Sequence, residues 1–337
     1  MNAVVLYGPG KIEVKEVPNV EPNENEVLIK VKNCGVCGTD ISLFNGNYPA
    51  NYPVIIGHEF SGEVAQIGKN VSNINVGERV TVDPNFVCHS CFFCRIGKEH
   101  LCNNLSSMGV HCDGANAEYC IVNQSNVYKF PENLSFEEAA FTEPLACALH
   151  GTYLANIKMG DTILVIGGGT MGNLITQCIR LQGAANIIVS EPKNERRKKA
   201  LENGATYCLD PSKQDVEAEI MMINPNGADI VFEVAGNSEA QTMCISMVRK
   251  GGTIVYFGCS PKDHLIKINP FIINENELKI LGSFNNQFST SRAIELLSKK
   301  KIKVENLITN RLALEDYMRV FKIIDNKNTL KIMVYMN

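Results

Sequence analysis

Three residues far apart in the chain, Cys37, His58 and Glu143, offer the side-chain types that zinc binds as thiolate, imidazole and carboxylate oxygen. His58 sits in a Gly57-His58-Glu59 triplet between apolar runs, so a second carboxylate adjoins it. Three protein ligands with a fourth position open describe a metal centre that can activate a substrate. A closed set lies further along: Cys88, Cys91, Cys94 and Cys102, spaced C-x2-C-x2-C-x7-C. Four thiolates in a loop poor in apolar residues suit a tetrahedral, structural zinc that orders the loop. His89 and His100 are close by, but a four-thiolate site does not need them. The alternatives are a disulfide or a reduced cluster for the loop, and a redox dithiol for Cys34 and Cys37. No thioredoxin-like strand–helix–strand pattern surrounds that pair.

A different chemistry is written at Val165-Ile166-Gly167-Gly168-Gly169-Thr170-Met171-Gly172. Gly167, Gly169 and Gly172 have GxGxxG spacing after an apolar strand and at the opening of a helix, which is dinucleotide-binding context. Gly167 allows the tight turn and Gly169 lets backbone approach the pyrophosphate. Gly172 lets helix and strand pack closely, and Thr170 and Met171 open the helix whose N-terminus favours the anion. Glu191, at the end of the next strand, could accept the ribose hydroxyls and repel a 2'-phosphate, favouring NAD over NADP. Arg196 and Arg197 pull the other way, because either could reach a phosphate; both could also be solvated helix surface.

The elements that must hold these residues fall into two patterns. Up to about residue 140 the chain reads as short Val- and Ile-rich strands punctuated by Gly, Pro and Asn: Ala3–Leu6, Ile12–Lys15, Val27–Lys32, Val54–Ile56, Gly62–Ile67, Arg79–Val82 and Ala117–Val122. That predicts an irregular barrel. A helix is expected over Leu145–Leu154, with Pro144 at its first position. Strands then alternate with helices from Thr162 to Phe288, predicting an α/β, doubly wound parallel sheet. The tail, with helices at Ser291–Leu297 and Leu314–Ile324 and a strand at Lys331–Tyr335, does not extend that alternation. The expected domains are 1–145 with 289–337, and 146–288.

Bulk properties exclude other classes. The formal charge of -4 is scattered, with no basic tract for nucleic acid or an anionic membrane. No apolar run approaches the roughly 18 residues a membrane span needs. The first residues show no secretory signal, so a cytoplasmic protein is expected. Thirteen cysteines in a reducing compartment point to metal ligation for the clustered ones and to small buried hydrophobes for the others.

Cys37-Gly38-Thr39-Asp40, Gly57-His58-Glu59, the four-cysteine loop, Glu143-Pro144-Leu145 and the glycine loop follow one another as in a known family. Over essentially its whole length the chain resembles the zinc-dependent medium-chain dehydrogenase/reductase family, and within it the sorbitol and polyol dehydrogenases. The resemblance implies a GroES-like catalytic domain joined to a Rossmann domain, with one catalytic and one structural Zn2+ per chain. It implies hydride transfer between a sorbitol-like secondary alcohol and NAD, with NADP also possible, and a homodimer or homotetramer. By the same resemblance Cys37 and His58 ligate the catalytic zinc, with Glu59 able to approach it and Glu143 as third ligand, directly or through water. Thr39 relays the substrate proton, and Asp40 orients the zinc-bound histidine. Two positions depart from the pattern. Ser42 stands where members often have a proton-relaying histidine, and Asn285-Asn286 follow Gly282-Ser283-Phe284 where mammalian-type sorbitol dehydrogenases have Arg-Tyr. The rival substrates are sugar-alcohol phosphates, L-threonine and 2,3-butanediol. The rival classes are a non-catalytic nicotinamide-binding protein and a zinc-free quinone reductase. Cys37, His58, Glu59 and Glu143 argue against both classes.

Overall fold

Val27, Ile29 and Val31 are fully buried while the residues between them are partly exposed, so Glu26–Gly35 forms a strand with one face turned into a core. The computed structural model describes residues 1–324, 326 and 328–336. The described chain divides into two compact units, residues 1–146 with 286–337, and residues 147–285.

In the first unit the strands before the junction are β1 (Asn2–Gly8), β2 (Lys11–Glu16), β3 (Glu26–Gly35), β4 (Val54–Ile55), β5 (Glu59–Ile67), β6 (Arg79–Val82), β7 (Asn85–Phe86), β8 (Ser106–Ser107), β9 (Tyr119–Asn123) and β10 (Val127–Lys129). The second unit supplies β11 (Thr162–Ile166), β12 (Asn186–Ser190), β13 (Tyr207–Leu209), β14 (Ala228–Glu233), β15 (Val248–Tyr256) and β16 (Lys279–Gly282). The tail returns to the first unit with β17 (Ile308–Ala313) and β18 (Lys331–Tyr335).

The first unit is the expected irregular barrel. Its main sheet runs β10-β6-β5-β3-β18-β17, with β9 also paired to β3. Strand β3 is the hub, antiparallel to β5, β9 and β18. Phe60, Val64, Val80, Tyr317, Ile332 and Val334 pack with the inward face of β3 in one core, which the C-terminal segment therefore completes.

The second unit is the expected doubly wound sheet, ordered β13-β12-β11-β14-β15-β16, with every pair parallel. All five residues of β11 are buried, as a strand covered by helices on both faces must be. The glycine loop follows β11, with the loops after β12 and β14 as its neighbours on either side.

Some boundaries differ from expectation. The junction helix starts at Thr142, so Pro144 is its third residue rather than its first. The first turn has no intrahelical acceptor for its N–H groups, and a proline fits there too. Leu314–Ile324 divides into a 3-10 turn, Leu314–Arg319, and a short α-helix, Val320–Ile323. Strand β17 was not expected: only its Ile308 and Leu312 are buried, which leaves no alternating apolar pattern to read.

Candidate active site

The helix Gly38–Phe44 begins directly after Cys37. Asp40 fixes that start: its Oδ2 accepts the Cys37 backbone N–H at 2.9 Å. Thr39 Oγ1 lies 3.6 Å from Cys37 Sγ. His58 and Glu59 arrive from the other side, at the beginning of β5. Gly57 before them has φ +99°, and a Cβ there would lie 2.6 Å from Asn116 Nδ2 and 2.9 Å from its backbone nitrogen, so no larger residue fits.

Cys37, His58 and Glu59 each present one ligand atom, and the three atoms lie within 4.8 Å of one another. His58 and Glu59 are buried and Cys37 is half-buried. Glu143 is not part of this triplet. It sits in the first turn of the helix Thr142–Ala155, and its charge acts on both His58 and Lys331. Asp40 meets Cys37 through a hydrogen bond and His58 through charge, since Asp40 Oδ1 and His58 Nδ1 are both buried without a hydrogen-bond partner.

This donor set fits zinc. Burial opposes a charge on His58, but Cys37, Asp40 and Glu143 outweigh it and hold its proton affinity well above that of ordinary imidazole. The negative field that favours a proton there equally favours a dication. A thiol, an imidazole and a carboxylate are ligands zinc accepts, and three of them leave a position for substrate.

Lys331 is the site residue that sequence reasoning missed. It opens β18, is only 4 % exposed, and forms an ion pair with Glu59, itself 2 % exposed. Its Nζ also donates to Val36 O at 3.0 Å and lies 5.9 Å from the Phe141 ring centroid. Burial alone would lower its pKa, but Glu59, Cys37 and Glu143 reverse that and raise it. The available signal was one lysine at the head of an otherwise apolar terminal strand, a place where charges are rarely buried unpaired.

The second ligand group is Cys88, Cys91, Cys94 and Cys102, also within 4.8 Å of one another. Their sulfurs are 3.6 Å apart for Cys91 and Cys94, 3.5 Å for Cys102 and Cys88, and 3.9 Å for Cys91 and Cys102. Backbone N–H groups point at the sulfurs: Cys88 and Asn104 donate to Cys102 at 3.3 Å, and Cys91 donates to Cys88 at 3.4 Å. The Ser90 backbone and hydroxyl bring the Cys88 thiol down to about 5, while burial and the neighbouring sulfurs push Cys94 up to about 12. Four sulfurs so close cannot all ionise unaided, and a dication makes that possible.

In the second unit Gly167 has φ +110°, and a Cβ on Gly172 would lie 1.9 Å from Gly167 O, so the helix Thr170–Leu181 can pack this closely only with glycine there. Thr170 and Met171 form its first turn. Asn173, a second residue not foreseen, ties the loop down by donating to Gly168 O at 2.9 Å and Gly169 O at 3.0 Å. Glu191 Oε2 accepts the Gly168 N–H at 2.9 Å, and its Oε1 accepts the Lys193 N–H at the same distance. A cleft of about 520 Å³ opens here, lined by Gly167, Gly169, Glu191, Arg196 and Ala235 among others. Of the two arginines only Arg196 lines it. Arg197 is turned to Glu191 O at 2.7 Å and pairs with Asp210 at 3.1 Å. A larger hollow of about 820 Å³ in the first unit is lined by no member of either ligand group.

Residues 23–132 match the family model described as the alcohol dehydrogenase GroES-like domain, and residues 170–299 match that of the zinc-binding dehydrogenases. Sorbitol dehydrogenase of Bacillus subtilis (strain 168) is 33% identical over 100% of this chain and 98% of its own length. L-threonine 3-dehydrogenase of Pyrococcus horikoshii is 34% identical, covering 99% and 98%. A crystal structure from Sinorhizobium meliloti 1021, described as a zinc-binding dehydrogenase bound to NADP, superposes with a TM-score of 0.96 at 39% identity, covering 99% and 98%.

The buried Lys331–Glu59 pair gives a sharp expectation. Lys331→Met leaves a buried carboxylate uncompensated and should cost about 3–5 kcal/mol in chemical denaturation of the zinc-free protein. Adding Glu59→Gln should recover most of that loss. A single variant as stable as the parent would mean that the pair is not formed.

Proposed function

This chain belongs to the zinc-dependent medium-chain alcohol dehydrogenase family, and we propose from that premise that it oxidises a neutral polyol at a secondary carbon with NAD as hydride acceptor. As a member it is an oxidoreductase acting on CH–OH groups, with zinc and NAD(P) as cofactors. The observation that carries the reading is the convergence of Cys37, His58 and Glu59 beside a separate, closed four-cysteine group. A binding protein would need only the second.

Cys37 and His58 hold the catalytic zinc, with Glu59 in reach of it and Glu143 adding negative charge at the site. Zinc there supplies Lewis acidity toward an alcohol hydroxyl, and the bound dinucleotide supplies the hydride acceptor. The chain's own residues do the rest. Thr39, its hydroxyl beside Cys37 Sγ, takes the substrate proton onward. Asp40 fixes Cys37 at the head of its helix. Lys331 pairs with Glu59 and holds that carboxylate in place beside the site. Ser42, not a histidine, stands five residues after Cys37, so the proton leaves by way of a hydroxyl or water.

A polyol is favoured by the relative named for sorbitol and by the carboxylates around the site, which can accept hydrogen bonds from neighbouring hydroxyls. A second reading, an amino alcohol of the threonine type, has the Pyrococcus relative in its favour. NAD is preferred because Glu191 lines the cleft as a buried carboxylate, where a 2'-phosphate would meet like charge. The reading keeps the cytoplasmic location expected from the sequence, and among the described residues no helix is long and apolar enough to cross a membrane. The edge strand β16 offers unpaired backbone that a second copy could extend into a homodimer or homotetramer.

The direct test is zinc content together with dinucleotide-linked oxidation of polyols, polyol phosphates, threonine and 2,3-butanediol. The expected result is one zinc for each ligand group and NAD-linked turnover of a polyol. Cys37→Ser should abolish turnover and leave dinucleotide binding nearly intact; retained turnover would remove Cys37 from the metal site. Glu191→Ala should narrow the preference for NAD over NADP by about tenfold, the effect of roughly one like-charge contact. An unchanged ratio would place the discrimination elsewhere.

A further inference from the structure

Glu233 ends β14, is 0 % exposed, and belongs to none of the motifs described above. One of its carboxylate oxygens, Oε1, accepts two successive backbone N–H groups, Ala235 at 2.8 Å and Gly236 at 2.7 Å. The other accepts Gln241 Nε2 at 3.4 Å. The same Gln241 nitrogen donates to Ser260 Oγ at 2.6 Å, and Ser260 Oγ donates to Gly236 O at 3.2 Å. The Glu233 backbone carbonyl receives the N–H groups of Phe257 and Gly258 at 2.9 Å each. One buried side chain and its own backbone thus knit together the loops that follow β14 and β15.

Those bonds shape the cleft. Val234, Ala235 and Asn237 line it on the side facing the glycine loop. Val234 N donates to Ile166 O at 2.9 Å, and a Cβ on Gly167 would lie only 3.1 Å from Ala235 N. The position of Ala235 therefore sets how much room lies over Gly167. Ile166 and Glu233 are register partners at the ends of adjacent parallel strands. On the opposite side of β11, Glu191 follows β12 and holds the Gly168 N–H. The glycine loop is braced from both neighbours by a buried carboxylate, but only Glu191 reaches the cleft.

We infer that Glu233 is a positioning residue for the dinucleotide: it touches no ligand and holds the Val234–Asn237 turn where the cofactor packs against it. Burial raises its pKa while the Gly236 and Ala235 N–H groups pull it back, so acceptor geometry, rather than a charge aimed at the ligand, is what the carboxylate contributes. The inference rests on the dinucleotide reading of the cleft.

The test compares Glu233→Ala with Glu233→Gln by direct titration with NAD and NADP. Alanine leaves two buried N–H donors unpaired, and the dinucleotide Kd is expected to rise about tenfold. Zinc content and the KM for alcohol should not move. Glutamine keeps an oxygen acceptor in place and is expected to restore the Kd to within about twofold of the parent. A folded Glu233→Ala protein with the parental Kd overturns the inference. So does a Glu233→Gln protein as weak as the alanine variant. Should the alanine variant fail to fold, amide hydrogen exchange of the unaltered protein without dinucleotide decides. The Ala235 and Gly236 N–H groups are expected to be as protected as those inside β14, and loop-like exchange overturns the proposal. Failure of the unaltered protein to bind either dinucleotide would instead overturn the reading of the cleft itself.

Discussion

The first unit gathers negative charge where water cannot screen it. Asp40 and Glu59 are almost wholly buried, and Cys37 and the Glu143 carboxylate act with them on His58 and Lys331. A cluster of this kind is tenable only if cations answer it, because an isolated buried charge costs far more than folding can offset. Lys331 is one such cation, brought in by the last strand. The ligand atoms of Cys37, His58 and Glu59, drawn together within 4.8 Å, offer a place for a second, a metal dication. The rest of the unit serves this balance. The barrel core lets β18 lie against β3, and Gly57 lets His58 and Glu59 enter beside the Cys37 helix.

The two metal groups solve related problems with different means. At the closed group, backbone N–H groups point at the sulfurs and the four cysteines come from one local loop, so binding a metal there would also order the loop. At the open group the ligands come from the head of a helix and the start of a strand, and Asp40 and Lys331 hold them in place from outside the ligand set. That arrangement would leave a metal bound there accessible while its ligands remain fixed. The second unit uses the same device with no metal, since Glu191 and Glu233 spend buried carboxylate oxygens on backbone N–H groups to fix the walls beside the glycine loop.

What was legible in the sequence was what depends on local spacing or on strict residue type. The C-x2-C-x2-C-x7-C run, the Gly167–Gly172 loop and the apolar strands β11, β12, β14, β15 and β16 each declare themselves within a few residues, whereas the short edge strand β13, with only Leu209 buried, does not. The barrel was readable as a class, because short strands broken by Gly and Asn have few other outcomes. The companionship of Cys37 and His58 was legible through resemblance, since twenty-one positions separate them and spacing alone does not join them. Lys331 was not legible. Its partner lies 272 residues away, and nothing near it in the chain marks its charge as buried. Glu233 was hidden for a related reason: an acid at the end of an apolar strand looks like a strand terminus, and its role appears only when the next turn folds back onto it. Strand β17 was missed because a mixed sequence there owes its strand form to pairing with β18.

Everything proposed for the first unit depends on the Cys37–His58–Glu59 group holding a metal that substrate approaches. Cobalt(II) placed in the open site in exchange for zinc reports on it directly, because its visible bands depend on ligand type and coordination geometry. Thiolate–cobalt absorption is expected to disappear in Cys37→Ser, and the bands are expected to shift when a polyol is added to the dinucleotide-bound protein. Cobalt bands that ignore both the substitution and the polyol would contradict the proposal, leaving the four-cysteine loop as the chain's functioning metal site.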